Sequence, residues 1–265
     1  KGVQLEGLRV LGKPENFAKY YYEHCADELF YQDVVASLYG RNSLNDIIAR
    51  TAKQIFIPLT VGGGIRSLKD ISVILRAGAD KVSINTAAHK DKNLIKEASR
   101  KFGKSTIVVA IEAVKEFDGT YMALTDNGRN VTGKEVSSWA KEVESLGAGE
   151  IIITSVDTEG SGKGIDTDLV KLVTTAVDVP VVVHGGVGKP EHALEIAKQF
   201  PISGLAIASM LHYDYIAKNK NTDNFEKEGN IEFLKSNRVP MSIETSTIED
   251  VKDLLIGHKI ICRAP

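Results

Sequence analysis

Six short Val/Ile-rich runs punctuate the chain: FIPLTV, ADKVSIN, STIVVAIEA, GEIIITSV, VPVVVHGG and ISGLAIAS. Between them lie longer amphipathic stretches such as SLKDISVILRAG and KEVSSWAKEVESLG. Continuous apolar strands bury both faces, so they fit a parallel sheet whose crossovers are helices. Helix starts are marked by Ser67 before LKDISVILRA and by Pro190 opening PEHALEIAK, residues suited to the N-cap and to the first helical turn.

The chain also repeats itself at about half its length. A slide of 123 residues lays Gly62-Gly63 on Gly185-Gly186 and Asn85-Thr86 on Ala208-Ser209. A slide of 122 lays Phe17–Tyr21 on Trp139–Val143 and Glu28 on Glu150. A repeated block of this kind implies two similar halves stacked into one core. The expected fold class is α/β, a (βα)8 TIM barrel built of two half-barrels, and 265 residues suit such a barrel as one unit. The first half begins only at the loop before its first helix, so the strand that would mirror VVAIEA is absent from the front. An open barrel leaves two unpaired edges. Either a preceding segment supplies the missing strand, the favoured expectation, or HKIICRAP does. The barrel is expected over 1–241 and a C-terminal extension, with a helix in IEDVKDLL, over 242–265. The polar stretch YIAKNKNTDNFEKEGN reads as a solvated linker or loop.

Bulk electrostatics exclude little but useful ground. With 33 Lys+Arg against 35 Asp+Glu the net charge is -2, and no block of like charges calls for nucleic acid or an anionic membrane. No apolar run approaches the roughly 18 residues that span a bilayer, and KGVQLEGLRV lacks a signal-peptide layout; the expectation is a soluble, cytoplasmic protein. Cys25 and Cys262 lack CxxC or Cys/His spacing and read as plain thiols. His24, His89, His192, His212 and His258 show no ligand spacing, so neither a metal nor a cofactor is expected.

In this barrel the site lies at the C-terminal ends of the strands. Two glycine turns stand out there, VGGGI followed by SINTAA and HGGVG followed by IASM. Glycines let backbone N–H groups approach an anion, and a helix N-terminus adds its positive dipole end. A single such turn is equally well a tight turn, but two copies half a barrel apart suggest a bisphosphate lying across the mouth. Between them Glu112 ends the strand VVAIEA. A lone buried carboxylate costs several kcal/mol unless paired or used, and an acid on the missing first strand would face it as a general acid/base partner. Asp33, Asp157 and Glu159 follow other strands; Asp157 reads as a functional residue, while for Asp33 and Glu159 N-capping or solvation is an equal reading. His184 is a site donor or a packed core histidine. Glu28, Lys81 and Glu150 open strands, so they cluster at the opposite mouth as a salt-bridge ring, a gate or a docking surface.

The motifs LGKPENFAKYYYEHCADELFYQD, FIPLTVGGGIRS, AGADKVSINTAA, VVAIEA, GAGEIIITSVDTEGSGKGID and the GGVG turn together resemble the HisF family, the cyclase subunits of imidazole glycerol phosphate synthase. The match runs from Lys1 to about Met241. The related isomerase of the same pathway shares VGGGIR but not usually ADKVSIN or GAGEIIITS. The resemblance implies an ammonia-dependent cyclase of histidine biosynthesis. A HisH-like glutaminase docked at the N-terminal face delivers ammonia through the barrel. The ammonia attacks the bisphosphate PRFAR to give imidazole glycerol phosphate and AICAR. Carried over by motif, Gly64, Asn85 and Thr86 hold one phosphate, and Gly186, Ala208 and Ser209 the other. Thr154, Asp157 and Glu159 line the substrate site, Glu28, Lys81 and Glu150 form the ammonia gate, and the mobile first loop ends at Lys1.

Three departures stand against the family pattern. The family's two catalytic aspartates end strands one and five; here the first lies outside the sequence and Glu112 occupies the second position. His184 replaces the usual serine beside the second phosphate turn, and Glu159 the usual aspartate. The stretch 242–265 matches nothing recognised. Two alternatives therefore stay open, a paralogue feeding ammonia to a sugar amidotransferase system, and a catalytically impaired barrel that scaffolds and activates a glutaminase.

Overall fold

A computed structural model of the chain describes residues 4–5, 11–33, 45–219 and 240–264. Among the described residues seven strands run parallel in one sheet: β1 (Leu29–Gln32), β2 (Leu59–Gly62), β3 (Lys81–Ile84), β4 (Ile107–Lys115), β7 (Glu150–Ser155), β8 (Val181–His184) and β9 (Gly204–Ala206). Each is hydrogen-bonded to the next in that order, and every parallel step is crossed by helical connections. This is the nearly closed parallel barrel the alternating pattern demands.

Side-chain parity explains why the strands read as continuous apolar runs. Ile107, Val109, Ile111 and Ala113 of β4, Ile151 and Ile153 of β7, and Val181 and Val183 of β8 join one buried cluster with Trp139, Leu169, Val173 and Ile196 from the helices. Alternate residues point the other way, to the barrel axis. Each fully buried aliphatic side chain contributes about 1.5–3 kcal/mol, so this layer between strands and helices dominates the fold's stability.

The helices in chain order are α1 (Pro14–Glu23), α2 (Asn45–Ala52), α3 (Leu68–Ala77), α4 (Thr86–Lys90), α5 (Asn93–Phe102), α6 (Val136–Leu146), α7 (Thr167–Thr174), α8 (Pro190–Gln199), α9 (Ser209–Lys218) and α10 (Ile248–Gly257). Ser67 caps α3, its hydroxyl accepting from the Asp70 N–H at 3.2 Å. Pro190 opens α8. Both match the expected starts.

One element is not the expected direct strand-to-helix step. Between VVAIEA and the helix containing Trp139 the chain forms an antiparallel hairpin, β5 (Tyr121–Thr125) and β6 (Asn130–Glu135), with β5 paired to the outer half of β4. The turn at its tip carries three successive positive φ values, at Asp126, Asn127 and Gly128. Asn and Asp tolerate that region and Gly favours it, so the sequence TDNG can make this turn.

At the C-terminal end, residues 260–264 take part in no strand, so HKIICRAP does not fill the missing position among the described residues. The preceding helix α10 starts with a capping box between Thr247 and Asp250. Val251 and Leu255 share an apolar cluster with Phe17 and Leu194, while the buried Lys252 Nζ donates to the Cys25 carbonyl at 2.7 Å and to Asp27 at 2.8 Å. The stretch read as an extension thus packs into the helical layer, against α1 and α8. The stretch YIAKNKNTDNFEKEGN, expected as a linker or loop, has its first residues, 215–218, at the end of helix α9; 220–230 lie outside the described residues. No helix among the described residues is long and apolar enough to cross a membrane.

Candidate functional site

At the C-terminal mouth a cavity of about 320 Å³ opens between β1, β2, β3, β4 and the hairpin tip. Asp33, Gly64, Asn85, Thr86 and Glu112, all expected site residues, line it. Gln32, Arg66, Lys90, Asp126 and Asn127 line it as well and were not foreseen. Lys90 and Arg66 are cations beside the glycine turn, where an anionic ligand would gain from them.

The first glycine turn is dictated by close backbone approach. Gly63 has φ +99°, and a Cβ there would lie 2.3 Å from the Asp33 carbonyl oxygen. The Asp33 N–H donates to the Gly62 carbonyl at 3.0 Å, holding the ends of β1 and β2 together. Asn85 follows β3; its Nδ2 donates to the Leu124 carbonyl at 3.2 Å, and its Oδ1 is buried with no protein partner. Thr86 accepts from the Asp126 N–H at 3.0 Å. The hairpin is therefore tied to the segment after β3 as well as to β4.

Glu112 lines this cavity and is 9% exposed. Its Oε2 accepts from the Gly128 N–H at 2.8 Å. Burial pushes its pKa up to about 7; the Gly128 N–H and the Asn85 amide pull it back, and Asp126 adds to the rise. A carboxyl poised near neutrality in a cleft is suited to give and take protons.

The second group of expected residues, on β7, β8 and the segments that follow them, does not line that cavity. Thr154 pairs in register with Glu112 on one side and His184 on the other. The Thr154 hydroxyl and His184 Nδ1 are 3.1 Å apart. Gly186 has φ +94°, and a Cβ on it would fall 1.9 Å from the Gly164 carbonyl oxygen, so the second turn has as little room as the first. Ala208 precedes α9 and the buried Ser209 opens it.

Asp157 and Glu159 serve the rim. Asp157 is exposed and accepts from the Lys115 N–H at 3.0 Å. Glu159 is buried, and its Oε2 accepts from the Leu5 N–H at 3.1 Å while its carbonyl accepts from Gln4 at 2.9 Å. Asn127 donates to the Leu5 carbonyl at 3.0 Å. Gln4 and Leu5 thereby bridge the loop after β7 and the hairpin tip. Lys1 lies outside the described residues.

At the other end of the barrel the three charges expected to meet do so. Lys81 Nζ lies 2.9 Å from Glu28 Oε2 and 2.9 Å from Glu150 Oε2, and the Thr60 hydroxyl donates to Glu28 at 2.5 Å. Burial pulls the Lys81 ammonium down, but its two carboxylate partners outweigh it and hold its pKa above the usual lysine value. Among the described residues no group of three or more His, Cys, Asp or Glu is placed to hold a metal ion.

Comparison with known proteins gives the same grouping. Residues 1–217 match the family described as Histidine biosynthesis protein. The chain is 54% identical over 191 residues to imidazole glycerol phosphate synthase subunit HisF of Legionella pneumophila, covering 72% of this chain and 90% of the relative. It is 44% identical over 232 residues to HisF of Sulfurisphaera tokodaii, covering 88% and 92%, and 48% identical over 216 residues to HisF of Geobacillus thermodenitrificans, covering 80% and 85%. The chain belongs to the histidine biosynthesis protein family and, within it, to the HisF subunits of imidazole glycerol phosphate synthase, a family of enzyme subunits.

Proposed function

We propose that the chain is an ammonia-dependent cyclase, a lyase of the glutamine amidotransferase type, that converts PRFAR to imidazole glycerol phosphate and AICAR. The observation that carries this reading is Glu112, a buried carboxyl with its pKa near neutrality, lying between two glycine turns at matching barrel positions. The turns centred on Gly63-Gly64 and Gly185-Gly186 grip the two phosphates with backbone N–H groups. Asn85, Thr86, Ala208 and Ser209 complete those grips, and Thr154 faces the middle of the ligand. Asp33, Asp157 and Glu159 shape the rim.

Ammonia comes from a HisH-like glutaminase on the N-terminal face, past the Glu28–Lys81–Glu150 ring. That ring has the makeup of a gate: one cation is shared by two carboxylates at a barrel mouth. At the active mouth Glu112 exchanges protons with the reacting atoms, a contribution of about 10²–10⁴ in rate.

One feature favours a second reading, delivery of ammonia to a different acceptor: Glu112 and His184 stand where the family has Asp and Ser. The deciding experiment supplies the purified chain with PRFAR and an ammonium salt, without glutaminase, and follows PRFAR loss and AICAR formation. Turnover supports the cyclase; absence of PRFAR binding supports the different acceptor.

A further inference from the structure

The second glycine turn is braced by a segment that the cyclase reading does not use. Residues 240–246 lie beyond the 1–217 that match the family and lead into the capped N-terminus of α10. They cross two loops, 158–164 after β7 and 185–188 after β8. The Ser242 hydroxyl donates to the Ser161 carbonyl at 2.6 Å, and the Glu244 N–H donates to the Gly188 carbonyl at 2.7 Å. Between these two contacts Ile243 is buried, in an apolar cluster that includes Val187 of the turn itself.

The glycines at this crossing show how closely the three segments approach. A Cβ on Gly162, at φ +70°, would lie 2.4 Å from the Ser242 carbonyl oxygen. A Cβ on Gly188 would lie 2.3 Å from the Gly162 carbonyl oxygen and 2.6 Å from that of Ser242. The Gly164 N–H in turn donates to the Gly186 carbonyl at 2.8 Å, so the braced loop is bonded to the turn. A trans peptide sets its N–H opposite its C=O, and the hold on the Ser161 and Gly188 carbonyls therefore fixes where the Gly162 and Lys189 N–H groups point. The segment is anchored through α10 as well, because Lys252 fastens that helix to the Cys25 carbonyl and to Asp27.

We propose that residues 240–246 are a positioning strap for the second phosphate grip, with Ser242 and Glu244 setting the affinity for the phosphate held at Gly186. The inference rests on the cyclase reading above. Successive backbone N–H groups make an anion-binding concavity, and a loop that is already ordered binds more tightly because less ordering is left to be done on association. The strap supplies that order through the Ser161 and Gly188 carbonyls. It acts on one grip only, since the first turn is held instead by Asp33, whose N–H donates to the Gly62 carbonyl. PRFAR carries two phosphates and imidazole glycerol phosphate keeps one, so the other leaves with AICAR. The strap therefore strengthens the binding of PRFAR and of one product, and leaves the other product unaffected.

The test measures equilibrium binding of PRFAR, imidazole glycerol phosphate and AICAR, one at a time, to wild type, Ser242→Ala, Ser242→Thr and Glu244→Pro, alongside kcat and KM in the glutaminase-free assay with an ammonium salt. Ala removes the hydroxyl, Thr keeps it and Pro removes the N–H. Ser242 is exposed, so Ser242→Ala leaves the fold intact and decides the matter even if Glu244→Pro fails to fold. The expected result in Ser242→Ala and Glu244→Pro is a loss of about three- to tenfold in affinity for PRFAR and for one product, with the other product within about twofold of wild type. KM for PRFAR should rise by the same factor while kcat stays within a few-fold, and Ser242→Thr should bind as wild type does. Unchanged affinity for all three ligands in Ser242→Ala, or equal losses for both products, would overturn the role of the strap and leave the cyclase reading standing. Failure of wild type to bind PRFAR would remove the cyclase reading, and this inference with it.

Discussion

The Gly128 N–H at the tip of the β5–β6 hairpin donates to Glu112 Oε2 at 2.8 Å. A turn outside the barrel thereby holds the carboxyl that ends β4. This contact favours the ionised form, yet burial dominates and the acid is still pushed up to about 7.

That imbalance predicts a pH signature in stability. An unfolded glutamate titrates near 4.5, so at acid pH Glu112 is protonated in both states and costs nothing. As pH rises from about 4.5 to 7, the unfolded chain gives up the proton while the folded one keeps it, and stability falls by about 1.4 kcal/mol per unit. The total is on the order of 3 kcal/mol, complete above about pH 7. Glu112→Gln removes the titration, so denaturant melts of variant and wild type should diverge between pH 5 and pH 8, with the variant gaining. A constant difference across that range would contradict the burial argument.

The glycine turns predict a backbone effect. Gly186→Ala places a methyl 1.9 Å from the Gly164 carbonyl oxygen at φ +94°, a strain of about 1–3 kcal/mol before the loop shifts to relieve the clash. Thermal unfolding should show a clear loss of Tm, together with weaker binding of PRFAR. A variant with wild-type Tm and wild-type PRFAR affinity would show that the turn is not held as described.

The ring at the N-terminal mouth predicts a separation of two activities. Lys81→Met leaves Glu28 and Glu150 facing one another without the shared cation. Ammonium-driven turnover, which enters from bulk solution, should stay within a few-fold of wild type, while turnover driven by glutamine and a glutaminase partner should fall by tenfold or more. Parallel losses in both assays would mean that the ring is structural only.

Much of this arrangement was legible in the sequence, for identifiable reasons. The strands read as largely apolar runs because most of their residues are buried, and Ser67 and Pro190 announced their helices. The glycine turns were readable because Gly63 and Gly186 have neighbouring carbonyls where a side chain would go. Glu28, Lys81 and Glu150 could be brought together because each stands at the start of a strand, and strand starts converge at one mouth. The hairpin was not legible: YMALT and NVTGKE are short and do not alternate, the first almost wholly buried and the second exposed or half-exposed throughout, so TDNG was their strongest signal. With it went the partner of Glu112 and the lining residues Asp126 and Asn127. Lys90 and Arg66 were missed because helix-end cations usually face solvent. The packing of α10 was missed because a capped amphipathic helix carries no mark of the surface it joins.

The most direct test of the central claim, that Glu112 is the proton-transferring acid of a bisphosphate mouth, is a paired measurement of PRFAR binding and ammonium-driven turnover in wild type, Glu112→Gln and Glu112→Asp. The account predicts that all three bind PRFAR within a few-fold of one another. It predicts that wild type turns over, that Glu112→Gln loses at least about 10²-fold in kcat, and that Glu112→Asp, displaced by one methylene, retains measurable activity. Equal turnover by wild type and Glu112→Gln, or full binding with no turnover in any of the three, would contradict it.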